Sequence, residues 1–214
     1  AAAAMAPEWH ALGAGEAEVC LDLTLPTGQS FRWRRRADGV WAGAVGRRAL
    51  ALRQMHGEVE FALLNAGELR ARGHGEEAPD ATREVLRDYF HLNTASLMEL
   101  YADFEAADPR FAAVAPYFGG TRMLRQDPVE CLFSFICSSN NHISRIHGMV
   151  NRLCAAYGER MAIDPGAEVL LAPPEPDAPG ALVPFDAEAA FVDAEAAIVS
   201  LGTSFCHWRC TECV

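Results

Sequence analysis

Residues 124–141, with the sequence LRQDPVECLFSFICSSNN, constrain the fold of this chain more than any other stretch. Asp127 is a favourable N-cap and Pro128 suits the first helical position, so a helix is expected to begin here. This helix is apolar on nearly every side and is therefore expected to be buried. Its apolar residues are Val129, Leu132, Phe133, Phe135 and Ile136. The polar residues 138–141 favour a turn, and apolar residues recur at helical spacing over residues 143–157. The stretch predicts two helices joined by a polar corner.

The rest of the chain divides into a strand-rich part and a helix-rich part. Segments of strand character between turn signals predict an antiparallel meander of about five strands, at residues 18–25, 30–33, 40–45, 48–52 and 58–63. Helical spacing and capping residues predict further helices at residues 81–90, 97–104, 110–118 and 186–201. Strands followed by helices predict an α+β fold. We expect a disordered segment at 1–17, a sheet domain at 18–120, a helical domain at 121–202 with a Pro-rich linker at 172–184, and a Cys-rich tail at 203–214.

Composition excludes several classes of protein. The chain has no run of about eighteen apolar residues, so it is not expected to span a membrane. All eighteen residues of the Lys+Arg total are arginines, which excludes a mechanism that needs a lysine amine. The formal charge of −11 argues against nucleic-acid binding by the chain as a whole. However, residues 119–160 contain five arginines and three acidic residues, whereas residues 161–214 contain one arginine and nine acidic residues. A local anion-binding surface is compatible with this distribution.

The seven cysteines are odd in number and scattered, partly within apolar helices, which indicates reduced thiols. Three of them, Cys206, Cys210 and Cys213, have the spacing of a radical-SAM cluster, and with His207 they would suit a zinc site. A radical-SAM motif must be followed by a large barrel that binds the cofactor, and only one residue follows Cys213. The preferred interpretation is a non-native tail, and we expect neither a metal nor a cofactor.

The polar corner is the strongest candidate for a binding site. Asn140 and Asn141 follow a rigid helix, and Arg145 lies about one turn further on. The asparagine amides can donate to and accept from the edges of nucleic-acid bases, and the arginine guanidinium can donate to them. A wedge that replaces an extruded base needs a rigid support of this kind. A plain turn between helices is the alternative that the residues alone leave open.

Residues 25–33, LPTGQSFRW, and the run 124–141 closely resemble two motifs of the eukaryotic-type 8-oxoguanine DNA glycosylase/AP lyases, in the same order. The resemblance extends roughly over residues 19–161. It implies an antiparallel sheet domain of TATA-binding-protein-like topology, followed by part of a helix-hairpin-helix glycosylase domain. It also implies a monomer that acts in base-excision repair on double-stranded DNA containing 8-oxoguanine opposite cytosine. The implied compartment is the nucleus, with the mitochondrion and the chloroplast left open.

The resemblance assigns roles to residues of both motifs. The main-chain carbonyl of Gly28 would accept the N7 hydrogen that oxidised guanine carries, and Phe135 would lie near the lesion pocket. Asn140 would occupy the gap left by the flipped nucleotide. Arg145 would contact the orphaned cytosine with the help of Asn140, and Asn141 would complete this contact region.

The sequence departs from the family in two respects. His142 stands where the family usually has a third asparagine. The nucleophilic lysine of the family, its Gly-rich hairpin turn and the aspartate that follows have no counterpart here, and nothing from Thr203 onward matches the family. No catalytic residue is therefore assigned, the helical domain is expected to be incomplete, and turnover is not expected. The alternative is a non-catalytic DNA-binding or interaction module from a splice form or a truncated gene model.

Overall fold

A five-stranded antiparallel sheet organises the part of the chain that the computed structural model describes, residues 7–72, 79–171 and 199–200. Its strands are β1 His10–Gly15, β2 Arg34–Arg35, β3 Trp41–Val45, β4 Arg48–Met55 and β5 Glu58–Leu63. They lie side by side in the order β1-β5-β4-β3-β2. Two-residue turns join β3 to β4 and β4 to β5. The second turn has positive φ at both His56 and Gly57, as a type I′ hairpin turn requires.

One short helix lies between β1 and β2, and the other helices follow β5 along the chain. They are α1 Leu21–Thr24, α2 Ala66–Ala71, α3 Pro79–Tyr89, α4 Leu97–Ala107, α5 Pro109–Val114, α6 Pro128–Ser138 and α7 Ile143–Tyr157. Short 3-10 turns lie at Ala115–Tyr117 and Glu168–Leu170, and β6 Glu159–Arg160 pairs antiparallel with β7 Val199–Ser200. None of the helices in the described ranges is long and apolar enough to cross a lipid bilayer. The combination of sheet and helices confirms the predicted α+β class.

Both faces of the sheet are buried. Alternate side chains of a strand point in opposite directions, and each set packs in a core cluster of its own. Leu50 and Leu52 of β4 pack in a large core cluster that includes residues of α3. Their neighbours Ala49 and Ala51 pack in a second cluster, with residues 161–171 on the other face. Residues of the predicted helical domain therefore return to the sheet, and the division at residue 120 stays a prediction.

The beginning of the chain differs from its prediction. Residues 10–15 form β1, in which His10 lies opposite Phe61 of β5, so the expected disorder of residues 1–17 is wrong for this segment. Residues 10–15 form a strand because they pair with β5, which is distant in sequence, and no local pattern in these residues predicts that pairing. Residues 1–6 lie outside the described part of the chain.

The connection between β1 and β2 also differs. Because these strands occupy opposite edges of the sheet, the chain between them must cross one face. It does so through α1, with Leu21 and Leu25 in the core, four residues apart as one side of a helical turn requires. The strand predicted at 18–25 is therefore wrong, and the strand predicted at 30–33 is wrong because only residues 34–35 pair with β3.

Several predictions fall on residues that the structure does not describe. The Pro-rich linker at 172–184 and the tail at 203–214, with Cys206, Cys210 and Cys213, lie outside the described ranges. The helix predicted at 186–201 also lies outside them, except at Val199–Ser200. These two residues form β7, so the helix prediction is wrong at that point.

Candidate functional site

Helices α6 and α7 form a hairpin whose corner comprises residues 139–142. The carboxylate of Asp127 accepts hydrogen bonds from the N–H groups of Val129 and Glu130 at 2.9 and 3.0 Å, which confirms the predicted N-cap of α6. Helix α7 buries one face, and this face packs with Phe31 and Cys137 in a core cluster. The corner is therefore held by two packed helices.

Asn141 fastens the corner from inside. Its side-chain Nδ2 donates to the carbonyl of Cys137 at 3.0 Å and lies 3.1 Å from the sulfur of Met149. Its Oδ1 accepts from the N–H of His142 at 3.1 Å. These contacts join the end of α6 to the middle of α7. The Asn141 amide is thus engaged within the protein, where it supports the neighbouring residues of the corner.

Two exposed polar side chains, those of Asn140 and Arg145, flank this fastening. Asn140 has a φ of +50°, a left-handed conformation that asparagine adopts more readily than most residues. His142 caps α7, because its Nδ1 accepts from the N–H of Arg145 at 3.4 Å and from the hydroxyl of Ser144 at 2.8 Å. Within the described part of the chain, the Arg145 guanidinium has no hydrogen-bonding or ion-pair partner. Both side chains are therefore available to a ligand on a rigid support.

The loop of the first motif lies beside this corner. Gly28 has a φ of +79°, and a Cβ added to it would lie 3.9 Å from Cδ1 of Ile143, the first residue of α7. The Phe31 ring packs edge-on against the His147 ring at 5.1 Å, and the Phe31 carbonyl lies 3.1 Å from His147 Nδ1. The structure therefore brings the first motif against α7, next to the corner in which the second motif ends.

His147 serves this surface as a neutral donor. Burial lowers its pKa below the usual range and the nearby Arg34 adds to this, against the hydrogen bond to Phe31, which acts in the opposite direction. The neutral imidazole at neutral pH must carry its proton on Nδ1 to donate to a carbonyl. Nothing in the sequence marks this histidine, and only its contact with Phe31 reveals the role.

Arg32 is a second residue that the sequence reasoning missed. Its side chain is buried, and its guanidinium donates to Cys154 Sγ of α7 at 2.9 Å. Burial raises the pKa of Glu130 on α6, and the positive charge of Arg32 opposes this rise. Burial likewise raises the pKa of the Cys154 thiol. Arg32 thus connects the first motif to both helices, and its only sequence signal is a charge between two aromatic residues.

Helix α6 is less buried than its sequence predicts. Phe135 is 71% exposed, and Leu132 and Ile136 are more than half exposed. In the described structure α6 buries Ser134 and Cys137, and α7 is its main neighbour there. The prediction of burial on most sides is wrong for these residues, because a helix that is apolar all round and packs on one side keeps apolar surface in solvent.

The chemistry of the assembled surface is that of hydrogen bonding. Gly28 contributes main-chain groups, Asn140 an amide and Arg145 a guanidinium. The exposed ring of Phe135 lies on α6, the helix that leads into the corner. Among the residues that the structure describes, no three His, Cys, Asp or Glu side chains are grouped so as to hold a metal ion. The cysteines in these ranges are free thiols. Such a surface suits the recognition of a planar ligand with donors and acceptors on its edge.

Comparisons with known proteins agree on one family. The N-terminal domain family of 8-oxoguanine DNA glycosylase matches residues 11–132. An N-glycosylase/DNA lyase of Arabidopsis thaliana is 39% identical over 147 residues, which are 68% of this chain and 37% of that protein. An N-glycosylase/DNA lyase of Saccharomyces cerevisiae is 34% identical over 161 residues, which are 72% of this chain and 40% of that protein. The chain therefore spans about two fifths of the length of these curated relatives.

A solved structure shows the same fold. The 8-oxoguanine glycosylase/lyase of Clostridium acetobutylicum, in complex with double-stranded DNA containing cytosine opposite 8-oxoguanine, superposes with a TM-score of 0.55 and 25% identity. The match covers 75% of this chain and 50% of the bacterial protein.

Proposed function

The chain belongs to the 8-oxoguanine DNA glycosylase family, and on that premise we propose that it recognises 8-oxoguanine opposite cytosine in double-stranded DNA, as a step of base-excision repair. The observation that carries the proposal is the position of Gly28 beside Ile143. A Cβ added to Gly28 would lie 3.9 Å from Cδ1 of Ile143. This proximity places the lesion motif beside the start of α7, which carries Arg145 and follows Asn140 of the corner. The description of the matching family domain supports the same lesion, and the DNA bound by the bacterial structure supports both the lesion and the partner base.

Lesion recognition is assigned to Gly28, with Phe135 beside the lesion. Normal guanine presents N7 as a hydrogen-bond acceptor, whereas 8-oxoguanine carries a hydrogen there. A carbonyl held at Gly28 attracts the N7–H of the lesion and repels the N7 lone pair of guanine. The exposed ring of Phe135 offers a face on which a base can stack, as aromatic side chains do in other nucleic-acid sites.

Recognition of the opposite strand is assigned to the corner. Extruding a base costs a few kcal/mol, and the exposed Asn140 side chain on its fixed turn is suited to fill the gap that remains. The guanidinium of Arg145 has donors only, which match the acceptors on the pairing edge of cytosine. Asn141 keeps both in place through its bonds to Cys137 and Met149.

For this 214-residue polypeptide we propose recognition without strand cleavage. The curated relatives are named N-glycosylase/DNA lyases, and a Schiff base through a side-chain amine requires a lysine. Every residue of the Lys+Arg total here is an arginine. The proposed action is therefore the one that a lesion-specific binding module performs.

Equilibrium binding to three labelled duplexes tests the proposal. We expect the 8-oxoguanine:cytosine duplex to bind more tightly than guanine:cytosine and 8-oxoguanine:adenine duplexes. Arg145→Met should weaken binding to the lesion opposite cytosine by roughly 5- to 100-fold, as the loss of a bidentate base contact does, and should reduce the preference for cytosine. Arg110→Met is the matched control, because this arginine is 95% exposed and lies on α5. Equal affinity for all three duplexes refutes the proposed function.

A borohydride trapping reaction tests the absence of cleavage separately. Incubation of the chain with the lesion duplex and borohydride should yield no covalent adduct. A trapped adduct contradicts the cleavage part of the proposal and leaves recognition intact.

We propose that the protein acts as a monomer in the nucleus. Sedimentation analysis tests the monomer. Imaging of a tagged protein tests the compartment, and signal confined to the mitochondrion or chloroplast contradicts it.

A further inference from the structure

The side chain of Gln29 ties the loop around Gly28 to the segment that leads into α6. Its Nε2 donates to the carbonyl of Arg122 at 2.9 Å, and its Oε1 accepts from the N–H of Leu124 at 2.9 Å. The Gln126 side chain in turn donates to the main-chain carbonyl of Gln29. Gln29 thus crosses from the first motif to the second at a point immediately after Gly28.

Only one orientation of the Gln29 amide satisfies these contacts. The carbonyl of Arg122 accepts hydrogen bonds and the N–H of Leu124 donates one, so the amide nitrogen must face the former and the amide oxygen the latter. Glutamate would place an acceptor against an acceptor, and methionine would make neither bond. The site therefore specifies a glutamine-sized amide.

A second link closes the loop across Gly28. Gln29 Nε2 also donates to the hydroxyl of Thr27 at 3.1 Å, and this hydroxyl donates to the carbonyl of Thr24 at 2.8 Å. The residues on both sides of Gly28 are therefore fixed to each other and to α1. Gly28 itself, at a φ of +79°, is the tip of a three-residue loop held at both ends.

We propose that Gln29 is a positioning residue for lesion discrimination, which holds the Gly28 carbonyl in a single direction. This inference rests on the proposed function. Discrimination by one carbonyl depends on its inability to turn away from the N7 lone pair of guanine. Without the bonds of Gln29, the Gly28 carbonyl turns away from the N7 lone pair of guanine and is held less firmly toward the N7–H of the lesion. The affinities for the two duplexes therefore become more alike.

The test measures the ratio of affinities for 8-oxoguanine:cytosine and guanine:cytosine duplexes in the full 214-residue chain. Gln29→Met should lower this ratio about fivefold, the equivalent of about one net hydrogen bond, through weaker binding of the lesion duplex and tighter binding of guanine:cytosine. Gln54→Met is the matched control. Gln54 also bridges two main-chain groups, accepting from Leu21 N–H at 3.2 Å and donating to the Val19 carbonyl at 3.0 Å, but it does so away from the loop. The control should lower stability to a similar extent and keep the ratio.

The outcomes separate this inference from the proposed function. A wild-type chain without preference for the lesion refutes the proposed function and the role of Gln29 with it. A wild-type preference that Gln29→Met retains overturns the positioning role alone, as does an equal fall of the ratio in Gln54→Met. Thr27→Val removes the link across Gly28 and keeps the bonds to Arg122 and Leu124, so a smaller fall of about twofold is expected. If Gln29→Met does not fold, an unchanged ratio in Thr27→Val overturns the inference.

Discussion

Replacing Arg122 with methionine should remove a buried link between the N-terminal segment and the helices. The guanidinium is buried, and its Nε donates to the main-chain carbonyl of Glu18 at 2.6 Å. One terminal nitrogen donates to the carbonyls of His91 and Ala95 at 3.1 and 3.2 Å. The other donates to the Ala95 carbonyl at 3.2 Å and forms an ion pair with the Glu18 carboxylate.

The magnitude follows from the groups that methionine leaves without a donor. Breaking a buried ion pair by removing one partner costs about 3–5 kcal/mol. The Glu18 side chain is 25% exposed and keeps its bonds to the N–H of Leu97 and the hydroxyl of Ser96, which places the expected loss at the lower end. We expect a loss of about 3 kcal/mol in the free energy of unfolding, and a fall in Tm of about 6–12 °C for a chain of this size.

Urea unfolding of the full chain measures this loss. Arg110→Met is the control, since this arginine is 95% exposed and should change stability by less than about 0.5 kcal/mol. A double-mutant cycle with Glu18→Gln separates the ion pair from the carbonyl contacts, and the pair should show a coupling of at least about 1 kcal/mol. A loss below about 1 kcal/mol in Arg122→Met, the size of one ordinary hydrogen bond, would refute the reasoning.

Three further changes have expected outcomes. Gly120→Ala should lower the free energy of unfolding by more than about 3 kcal/mol, because the φ of Gly120 is +75° and the new Cβ would clash with the carbonyl oxygen of Glu16. Urea unfolding measures this loss. Gly119→Ala is the control, because a Cβ at Gly119 would meet nothing within 4 Å. Partial burial favours the neutral acid of Glu18, but hydrogen bonds to the start of α4 and the neighbouring guanidinium lower its pKa below 4.5 overall. Its stabilising effect is therefore present above pH 4.5 and lost as pH falls through the folded-state pKa, and Glu18→Gln should flatten that part of a pH series of unfolding curves. Asp127→Ala should cost about 1 kcal/mol in thermal unfolding through loss of the α6 cap, and an unchanged Tm would contradict the role of the cap.

The elements that sequence predicted well are those whose causes lie within a few residues. Asp127 was identified as a cap, and its carboxylate accepts from N–H groups two and three residues ahead. Strands predicted at 48–52 and 58–63 are present as β4 and β5, although β4 continues to Met55 and leaves a turn of only two residues. By contrast, β1 and α1 depend on the order of strands in the sheet, which places β1 beside β5 and sends the following chain across a face.

The candidate site shows the same division. The two motifs and the resemblance that they carry marked Gly28, Phe135, Asn140 and Arg145, but the approach of Gly28 to Ile143 of α7 depends on packing that no local pattern encodes. Arg32, His147 and Gln29 were missed because each has its partner on an element remote in sequence. The exposure of α6 was missed because its apolar residues are compatible with burial but do not determine which other elements pack against the helix.

At Asn140, stability and recognition favour different residues, because the backbone there is left-handed. Its φ of +50° suits glycine better than any residue with a Cβ, whereas the proposed filling of a vacated base position needs the amide that glycine lacks. A library varied at residue 140 should therefore divide according to how it is selected. Resistance to unfolding should enrich glycine and binding to the lesion duplex should retain asparagine, so that the same residue has opposite fitness under two selections.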